Sequence, residues 1–155
     1  TLRDAREILQ IRAILEGLAA ELACASLTEA DLSDLRERLC SAQAASNDGQ
    51  SDQSAELGHQ FHQVLIDRAD NERLVFLIGV LSDQYRRVRL ISNQNRRRQP
   101  KSIEEHAEIL RALEARDAER AGRAMRQHLL AVYEDLAEHG AIPADPAPTP
   151  SVARP

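Results

Sequence analysis

Hydrophobic residues recur along most of this chain at alternating spacings of three and four, which is the period of an α-helix with one buried side. Polar breaks and cap residues divide the pattern into six segments. The first three predicted helices cover residues 2–25, a segment that begins after the Thr28 cap and ends near Ser46, and a segment that contains residues 56–71. The fourth begins after the Asn71 cap and continues to Val88. The last two cover residues 102–114, with Ser102 and Glu105 as a capping box, and a segment from the Asp117 cap to about His139. No β-branched run of period two interrupts them, so the pattern predicts an all-α protein of about six helices.

Composition supports the same fold class. Ala, Leu, Glu, Arg and Gln dominate, aromatic residues make up 3% of the chain, and Trp is absent. A length of 155 residues is that of about one domain, which we place at residues 1–139. Residues 140–155 are rich in proline and predict a disordered tail.

Charge and hydropathy argue against several classes of partner. The formal net charge of −5 does not suit a surface that binds a nucleic-acid backbone, and we interpret the arginine cluster 96–98 with Lys101 as part of a solvated loop over residues 92–100. The sequence shows neither a secretory h-region nor an apolar run long enough to span a bilayer. The two cysteines, Cys24 and Cys40, are far apart, and we interpret them as reduced thiols. We therefore expect a cytoplasmic protein without a membrane partner.

Three histidines occupy the apolar sides of three different predicted helices. His62 lies at the edge of the stripe that contains Phe61 and Leu65, whereas His106 and His128 lie in the middle of theirs. A buried imidazole loses its hydration and needs a partner for each ring nitrogen, so a plain core rarely contains one. We therefore predict that the three meet in a metal or ligand site inside the bundle.

The residues alone leave several alternatives open. Three imidazoles suit zinc or a similar divalent ion and leave open positions, which would serve either a hydrolase or a carboxylate-bearing effector. A hydrolase would need a general base, for which Glu16 and Glu56 are the candidates. His59, three residues before His62, is either a fourth ligand or an exposed side chain. The Glu56–His59 spacing also occurs in di-iron bundles, but the second such motif is missing. In a further alternative, the histidines are satisfied core residues of a purely structural module.

Short motifs follow one another in a specific order along residues 2–139. They are Arg12 with Leu15 and Glu16, Phe61-His62, Ala69-Asp70-Asn71, Glu105-His106 with Ile109, Leu110 and Leu113, Asp117 with Ala118 and Ala121, and Met125 to His128 with Leu129. This ordered set resembles the FCD effector-binding domain of the FadR subgroup of GntR-type bacterial transcription regulators. The resemblance covers nearly the whole helical part of the chain.

The resemblance implies an antiparallel helical bundle that binds a divalent metal, zinc or nickel, through one aspartate and three histidines. All three histidines match, but Gly58 stands where the aspartate is expected. We expect the metal to be retained. Three arrangements stay open at this point: histidines and water alone, substitution by His59 or Glu56, or a metal-free effector site.

The resemblance also implies a small carboxylate-bearing metabolite. We assign its binding first to Arg12, whose planar guanidinium can hold a carboxylate with two hydrogen bonds, and then to Arg86, Arg89 and Asn71. A homodimer is implied as well, with a winged helix-turn-helix domain before the effector domain. Because this chain begins where that domain would end, we expect it to sense the effector, to leave DNA binding to the other domain and to have no enzymatic activity.

Overall fold

The computed structural model describes residues 1–139, and its regular elements are seven α-helices. They are α1 (Leu2–Ser26), α2 (Glu29–Asn47), α3 (Ser51–Arg68), α4 (Glu72–Val80), α5 (Ser82–Asn93), α6 (Arg98–Glu114) and α7 (Ala118–Glu138). No β-strand occurs within the described residues, which confirms the predicted all-α fold. None of the helices described combines the length and apolarity needed to cross a membrane. The predicted disordered tail, residues 140–155, lies outside the described residues.

Helices α1 and α7 pack side by side in the most extensive helix–helix contact among the described residues. They run antiparallel, since Gly17 faces Arg126 and Glu21, one turn later, faces Gly122. A Cβ at position 17 would lie only 2.6 Å from Cγ of Arg126. Glycine is therefore required here by the close approach of the two helices.

Helix α1 carries two apolar strips, and the bundle buries only one of them. Leu9, Ala13 and Ala20 are at most 2% exposed and belong to the core. On the other strip, several large side chains remain 37% to 65% exposed: Ile11, Ile14, Leu18 and Leu22. Helical spacing is the same on both strips, so the sequence pattern could not show which of them would be covered.

The fourth predicted helix is divided in two, which makes seven helices where the pattern predicted about six. Leu81 separates α4 from α5 and has φ −90° and ψ −4°. The Ser82 hydroxyl donates to the Ile78 carbonyl at 3.1 Å, a local bond that competes with regular helical bonding. Both segments continue the apolar stripe, so periodicity alone does not reveal the break.

The predicted loop over residues 92–100 is shorter than expected, because α5 continues to Asn93 and α6 begins at Arg98. Pro100 fits in the first turn of α6, where its missing N–H leaves no helical bond unmade. Arg98 is 4% exposed rather than solvated, and it is ion-paired with Glu105 and Asp135. The predicted capping box also fails, since Ser102 lies inside the helix.

Candidate metal centre

The structure brings the three histidines together in the interior of the bundle. His62 comes from α3, His106 from α6 and His128 from α7, and each is at most 5% exposed. One ring nitrogen of each lies within 4.8 Å of the corresponding nitrogen of the other two. The Nε2 atoms of His62 and His106 are 2.8 Å apart. Three separate helices therefore deliver three imidazole nitrogens to one point.

His62 is oriented by a buried carboxylate. Its Nδ1 lies 2.5 Å from Oε2 of Glu16, and because a carboxylate only accepts, Nδ1 carries a proton and Nε2 is the ring nitrogen that faces the other histidines. Glu16 in turn accepts from Nε of Arg12 at 2.6 Å, and the Arg12 guanidinium lies 3.9 Å from the centre of the Tyr85 ring. Burial acts to raise the pKa of Glu16, but His62 and Arg12 outweigh it and hold that pKa at about 2. We call Arg12, Glu16 and His62 the Glu16 triad.

His128 has a matching arrangement. Its Nδ1 lies 2.7 Å from Oε2 of Glu105, so its Nε2 is again the free nitrogen. Arg98 binds Glu105 through both terminal nitrogens of its guanidinium: NH1 donates to Oε1 at 3.1 Å, and NH2 donates to Oε2. Nε of Arg98 also lies 2.8 Å from Oδ2 of Asp135, and these two atoms form an ion pair without a hydrogen bond. We call Arg98, Glu105 and His128 the Glu105 triad.

His106 differs from the other two histidines. No hydrogen bond joins its Nδ1 to a described residue, and its ring stacks on Phe61 with the ring centroids 5.0 Å apart. It faces the backbone of α3 at Gly58, where a Cβ would lie 3.0 Å from its Cε1 and 3.6 Å from its Nδ1. Burial, reinforced by the neighbouring histidines and Arg98, lowers the pKa of both His106 and His128 well below the usual value, so both imidazoles are neutral at neutral pH.

The donor set fits a divalent metal ion. Metal binding requires neutral imidazoles, and a metal-bound histidine commonly donates its other ring N–H to a carboxylate. His62 and His128 both have that carboxylate partner. Zinc bonds imidazole nitrogen at about 2.0–2.1 Å, which three nitrogens grouped within 4.8 Å of one another can provide with small adjustments. The group therefore has the composition and spacing of a three-histidine metal site.

A cavity of about 80 Å³ lies directly beside the histidines. Its wall is contributed mainly by α3, α5, α6 and α7, and it carries hydroxyl, amide and guanidinium groups, among them Ser54, Ser92, Asn93 and Ser102. This volume holds several water molecules or one small metabolite, and it excludes a large ligand such as a nucleotide.

Arg89 and His59 also line this cavity. NH1 of Arg89 donates to Oε2 of Glu56 at 3.1 Å, and because the Glu56 side chain is 51% exposed, this ion pair holds the arginine only weakly. Burial, followed by the charge of Arg89, lowers the pKa of half-buried His59. Neither His59 nor Glu56 belongs to the histidine group among the described residues.

The other positions assigned to effector binding are not part of the cavity wall. Arg12 is buried in the Glu16 triad, Arg86 is exposed, and the Asn71 side chain caps α4 by accepting from the backbone N–H of Leu74 at 3.0 Å. Arg98, by contrast, is on the wall, and the sequence pattern missed it because the run of arginines suggested a solvated loop. The spacing of two helical turns between Arg98 and Glu105 is the signal that could have identified it.

The hydrolase alternative lacks a suitable base in this arrangement. Glu16 is bound to both Arg12 and His62, and a carboxylate with a pKa of about 2 is a weak proton acceptor at neutral pH. Glu56 is ion-paired with Arg89. Neither candidate has the raised pKa that general base catalysis favours.

Known proteins resemble this chain in sequence over most of its length. Residues 7–131 match the FCD domain. An uncharacterized HTH-type transcriptional regulator of Bacillus subtilis, YdhC, is 29% identical over 140 residues, which are 90% of this chain and 61% of YdhC. The Glc operon transcriptional activator of Escherichia coli is 31% identical over 141 residues, covering 86% of this chain and 56% of the activator. The chain therefore spans less than two thirds of these relatives.

Solved structures show the same architecture. Escherichia coli McbR/YncC superposes with a TM-score of 0.78 at 25% identity, covering 86% of this chain and 67% of the other. Streptococcus agalactiae GntR shares the fold, with a TM-score of 0.67 at 24% identity over 85% of this chain and 58% of the other. The curated relatives named above are transcriptional regulators, in agreement with the prediction of a regulatory and not an enzymatic domain. By its sequence match and its helical architecture, this chain belongs to the FCD domain family.

Proposed function

We propose that this chain is the ligand-sensing part of a longer GntR-type transcription regulator, in which His62, His106 and His128 bind a divalent metal and the adjoining cavity receives a small carboxylate-bearing metabolite. The observation that carries the proposal is the convergence of three buried imidazole nitrogens, two of them oriented by carboxylates, on the wall of a small polar cavity. Zinc and nickel are the ions we assign, because both bind neutral imidazole well.

The cavity is suited to a small anion. Arg89 and Arg98 lie on its wall, and the carboxylates nearest to them are already engaged in ion pairs. Arg98 is fixed by two acidic partners, whereas Arg89 has only the exposed Glu56 and can exchange it for a ligand. We therefore place Arg89 ahead of Arg12 as the cation that binds the effector carboxylate, since the Arg12 guanidinium is occupied by Glu16 and Tyr85.

The effector would act on a DNA-binding domain that lies elsewhere in the regulator. Support comes from Bacillus subtilis YdhC, an HTH-type transcriptional regulator that extends well beyond the matched part. A ligand can shift the arrangement of two such domains by no more than its difference in affinity for the two arrangements. The Glu16 triad provides a physical link, because it connects a metal-binding histidine on α3 to helix α1.

We further propose that two copies associate through the outward faces of α1 and α4. These helices pack on each other through Leu15, Ala19, Leu74 and Ile78. Beside that seam, each helix exposes large apolar side chains, with Ile14 and Phe76 both at 65%. Large apolar side chains exposed on two helices that pack together are typical of a protein interface. A second copy is the simplest occupant, because it would cover both faces in one symmetric contact.

Analytical ultracentrifugation tests this interface. We expect the wild-type chain to sediment as a dimer and Phe76→Glu to sediment as a monomer, because a charge would be buried in the contact. Arg86→Glu, an exposed change on the neighbouring helix, is the control. A wild-type monomer at micromolar concentration would contradict the dimer.

The metal is tested by elemental analysis of the purified protein, followed by thermal melts before and after chelation and after adding back zinc or nickel. We expect about one ion per chain, a lower Tm after chelation and recovery on addition, because an ion that binds only the folded state stabilises it. A metal-free protein whose Tm responds to neither ion would contradict the proposed site.

A further inference from the structure

The three histidines differ in whether a carboxylate binds their Nδ1 atom. Nδ1 of His62 is bound by Glu16 at 2.5 Å, and Nδ1 of His128 is bound by Glu105 at 2.7 Å. No described residue is hydrogen-bonded to Nδ1 of His106. This ring therefore lacks the carboxylate that the other two possess.

The position from which a carboxylate could reach His106 is occupied by glycine. Gly58 lies in the interior of α3 and does not have the left-handed φ that would require glycine, a conformation seen among the described glycines at Gly49. Glycine is unfavourable in a helix interior relative to alanine, so its presence needs another reason. A Cβ at this position would lie 3.0 Å from Cε1 and 3.6 Å from Nδ1 of His106, which is too close for an ordinary contact with the ring carbon.

The space beside Gly58 belongs to the cavity. Gly58 and His106 are both part of the cavity wall, which also carries the guanidinium groups of Arg89 and Arg98. A ligand in the cavity can therefore reach the unpaired ring nitrogen, and the two cations favour an anionic ligand there.

We propose that, with the metal bound at Nε2 of His106, a carboxylate of the ligand occupies the space beside Gly58 and accepts a hydrogen bond from Nδ1–H of His106. The ligand thereby takes, for His106, the place that Glu16 and Glu105 take for His62 and His128. The inference rests on the proposed function of the cavity as a ligand site, and it adds where the carboxylate binds and what it binds. The ligand class is a small carboxylic acid of a size that fits about 80 Å³.

This arrangement makes the ligand part of the metal site without direct coordination. A carboxylate that accepts from one imidazole nitrogen makes the other nitrogen a better metal ligand, and losing such a partner typically weakens metal binding by about 10- to 100-fold. Metal and carboxylate should therefore each increase the affinity for the other by the same factor.

Nitrogen-15 NMR of histidine-labelled, zinc-loaded protein tests the contact directly. The probes are acetate, lactate and malonate, and acetamide is the neutral counterpart of acetate. We expect a carboxylate to shift the protonated Nδ1 resonance of His106, assigned through the contact of this ring with Phe61, while those of His62 and His128 move little and acetamide causes no shift. A carboxylate that binds without moving the His106 Nδ1 resonance would overturn the inference and leave the proposed function intact.

Two glycine variants provide the matched comparison. Gly58→Ala fills the space, whereas Gly79→Ala changes a helical glycine that has no neighbour within 4 Å of the added Cβ. We expect Gly58→Ala to weaken binding of the best carboxylate probe by about tenfold or more, the loss of a hydrogen bond to a charged group, with no change in Gly79→Ala. Gly58→Asp supplies the carboxylate within the chain, so it should bind zinc more tightly and respond less to added carboxylate.

The outcomes separate the two proposals. Equal carboxylate affinity in the wild type, Gly58→Ala and Gly79→Ala would overturn the Gly58 site alone. If none of the three carboxylates binds the zinc-loaded wild-type protein, the carboxylate-sensing function and this inference fail together. Thermal melts of each variant identify any that has lost its fold, and the NMR measurement needs only the wild type.

Discussion

The Glu16 triad and the Glu105 triad orient two histidines by the same chemistry in different surroundings. Glu16 is 1% exposed and is bonded to an arginine one turn away on the same helix. The Glu105 side chain is 29% exposed, and its arginine also contacts Asp135, which Lys101 approaches to 3.4 Å. A dry, isolated pair loses much more when one member is removed than a pair that water and further charges can reach. We therefore expect the two triads to respond differently to the same change.

The largest expected effect tests an assumption that the comparison of the two triads makes, namely that both orient histidines that bind a metal. His106→Ala deletes the third nitrogen and should abolish metal binding, because two imidazoles alone hold an ion weakly. The check is metal content after equilibration with zinc and removal of excess ion. His59→Ala, which changes a cavity histidine outside the group, should keep its metal. Unchanged metal content in His106→Ala would remove the three-histidine site.

The second largest expected effect is a loss of stability when the arginine of either triad is replaced by alanine. Arg12→Ala leaves Glu16 charged and buried, so we expect the free energy of unfolding to fall by about 3–5 kcal/mol. For Arg98→Ala we expect about 2 kcal/mol, because water and Lys101 remain near the carboxylates it leaves. Urea denaturation of the metal-free proteins measures both. The double variant Arg12→Met/Glu16→Gln should recover part of the loss, and equal losses for the two arginines would show that the triads are energetically alike.

A smaller effect concerns metal affinity. Glu16→Gln and Glu105→Gln keep an acceptor for the histidine but remove its charge. We expect zinc affinity to fall by about 100-fold for Glu16→Gln and by about tenfold for Glu105→Gln, since solvent screens the more exposed carboxylate. Competition with a chromophoric chelator measures both values. A larger loss of zinc affinity in Glu105→Gln than in Glu16→Gln would mean that burial of the carboxylate does not determine how much it contributes to metal affinity.

The smallest effect concerns the arginine that belongs to neither triad. Arg89→Ala should weaken carboxylate binding by about tenfold while metal content and stability stay near wild type, because its present partner Glu56 is exposed. Arg86→Ala, an exposed change on the same helix, serves as the control. Calorimetric titration of zinc-loaded protein with malonate provides the comparison. Equal affinities in the two variants would place the carboxylate away from Arg89.

The two triads also differ in how far sequence reasoning could find them. Arg12 and Glu16 are one helical turn apart between two apolar strips, a position that is compatible with a partly buried pair and with an ordinary surface pair. Glu105 fitted a capping box with Ser102 equally well, and that local signature concealed its contact with His128. The contact joins α6 to α7, and local periodicity carries no information about which helices become neighbours.

The helices were more predictable from the sequence than the contacts of the site, because apolar spacing reports burial and does not report which helices become neighbours. Stripes of apolar residues identified the helices and placed His106 and His128 in the interior, because burial of one side is what creates the stripe. The break at Leu81 is accompanied by one hydroxyl–carbonyl bond, and Arg98 is buried against acids from two helices. Such features follow from tertiary contacts and only weakly from spacing.

The break at Leu81 also has a kinetic consequence. It makes α5 a separate 12-residue segment with only Val88 and Ser92 buried, and this segment carries Tyr85, Arg89 and Ser92 on the cavity wall. The histidines lie on α3, α6 and α7, which are anchored in the main core. A segment with few buried residues opens at low free-energy cost, so α5 should admit and release small molecules rapidly while the metal exchanges slowly. Under the proposed function, this difference lets the site follow fast changes in metabolite concentration while its metal stays in place.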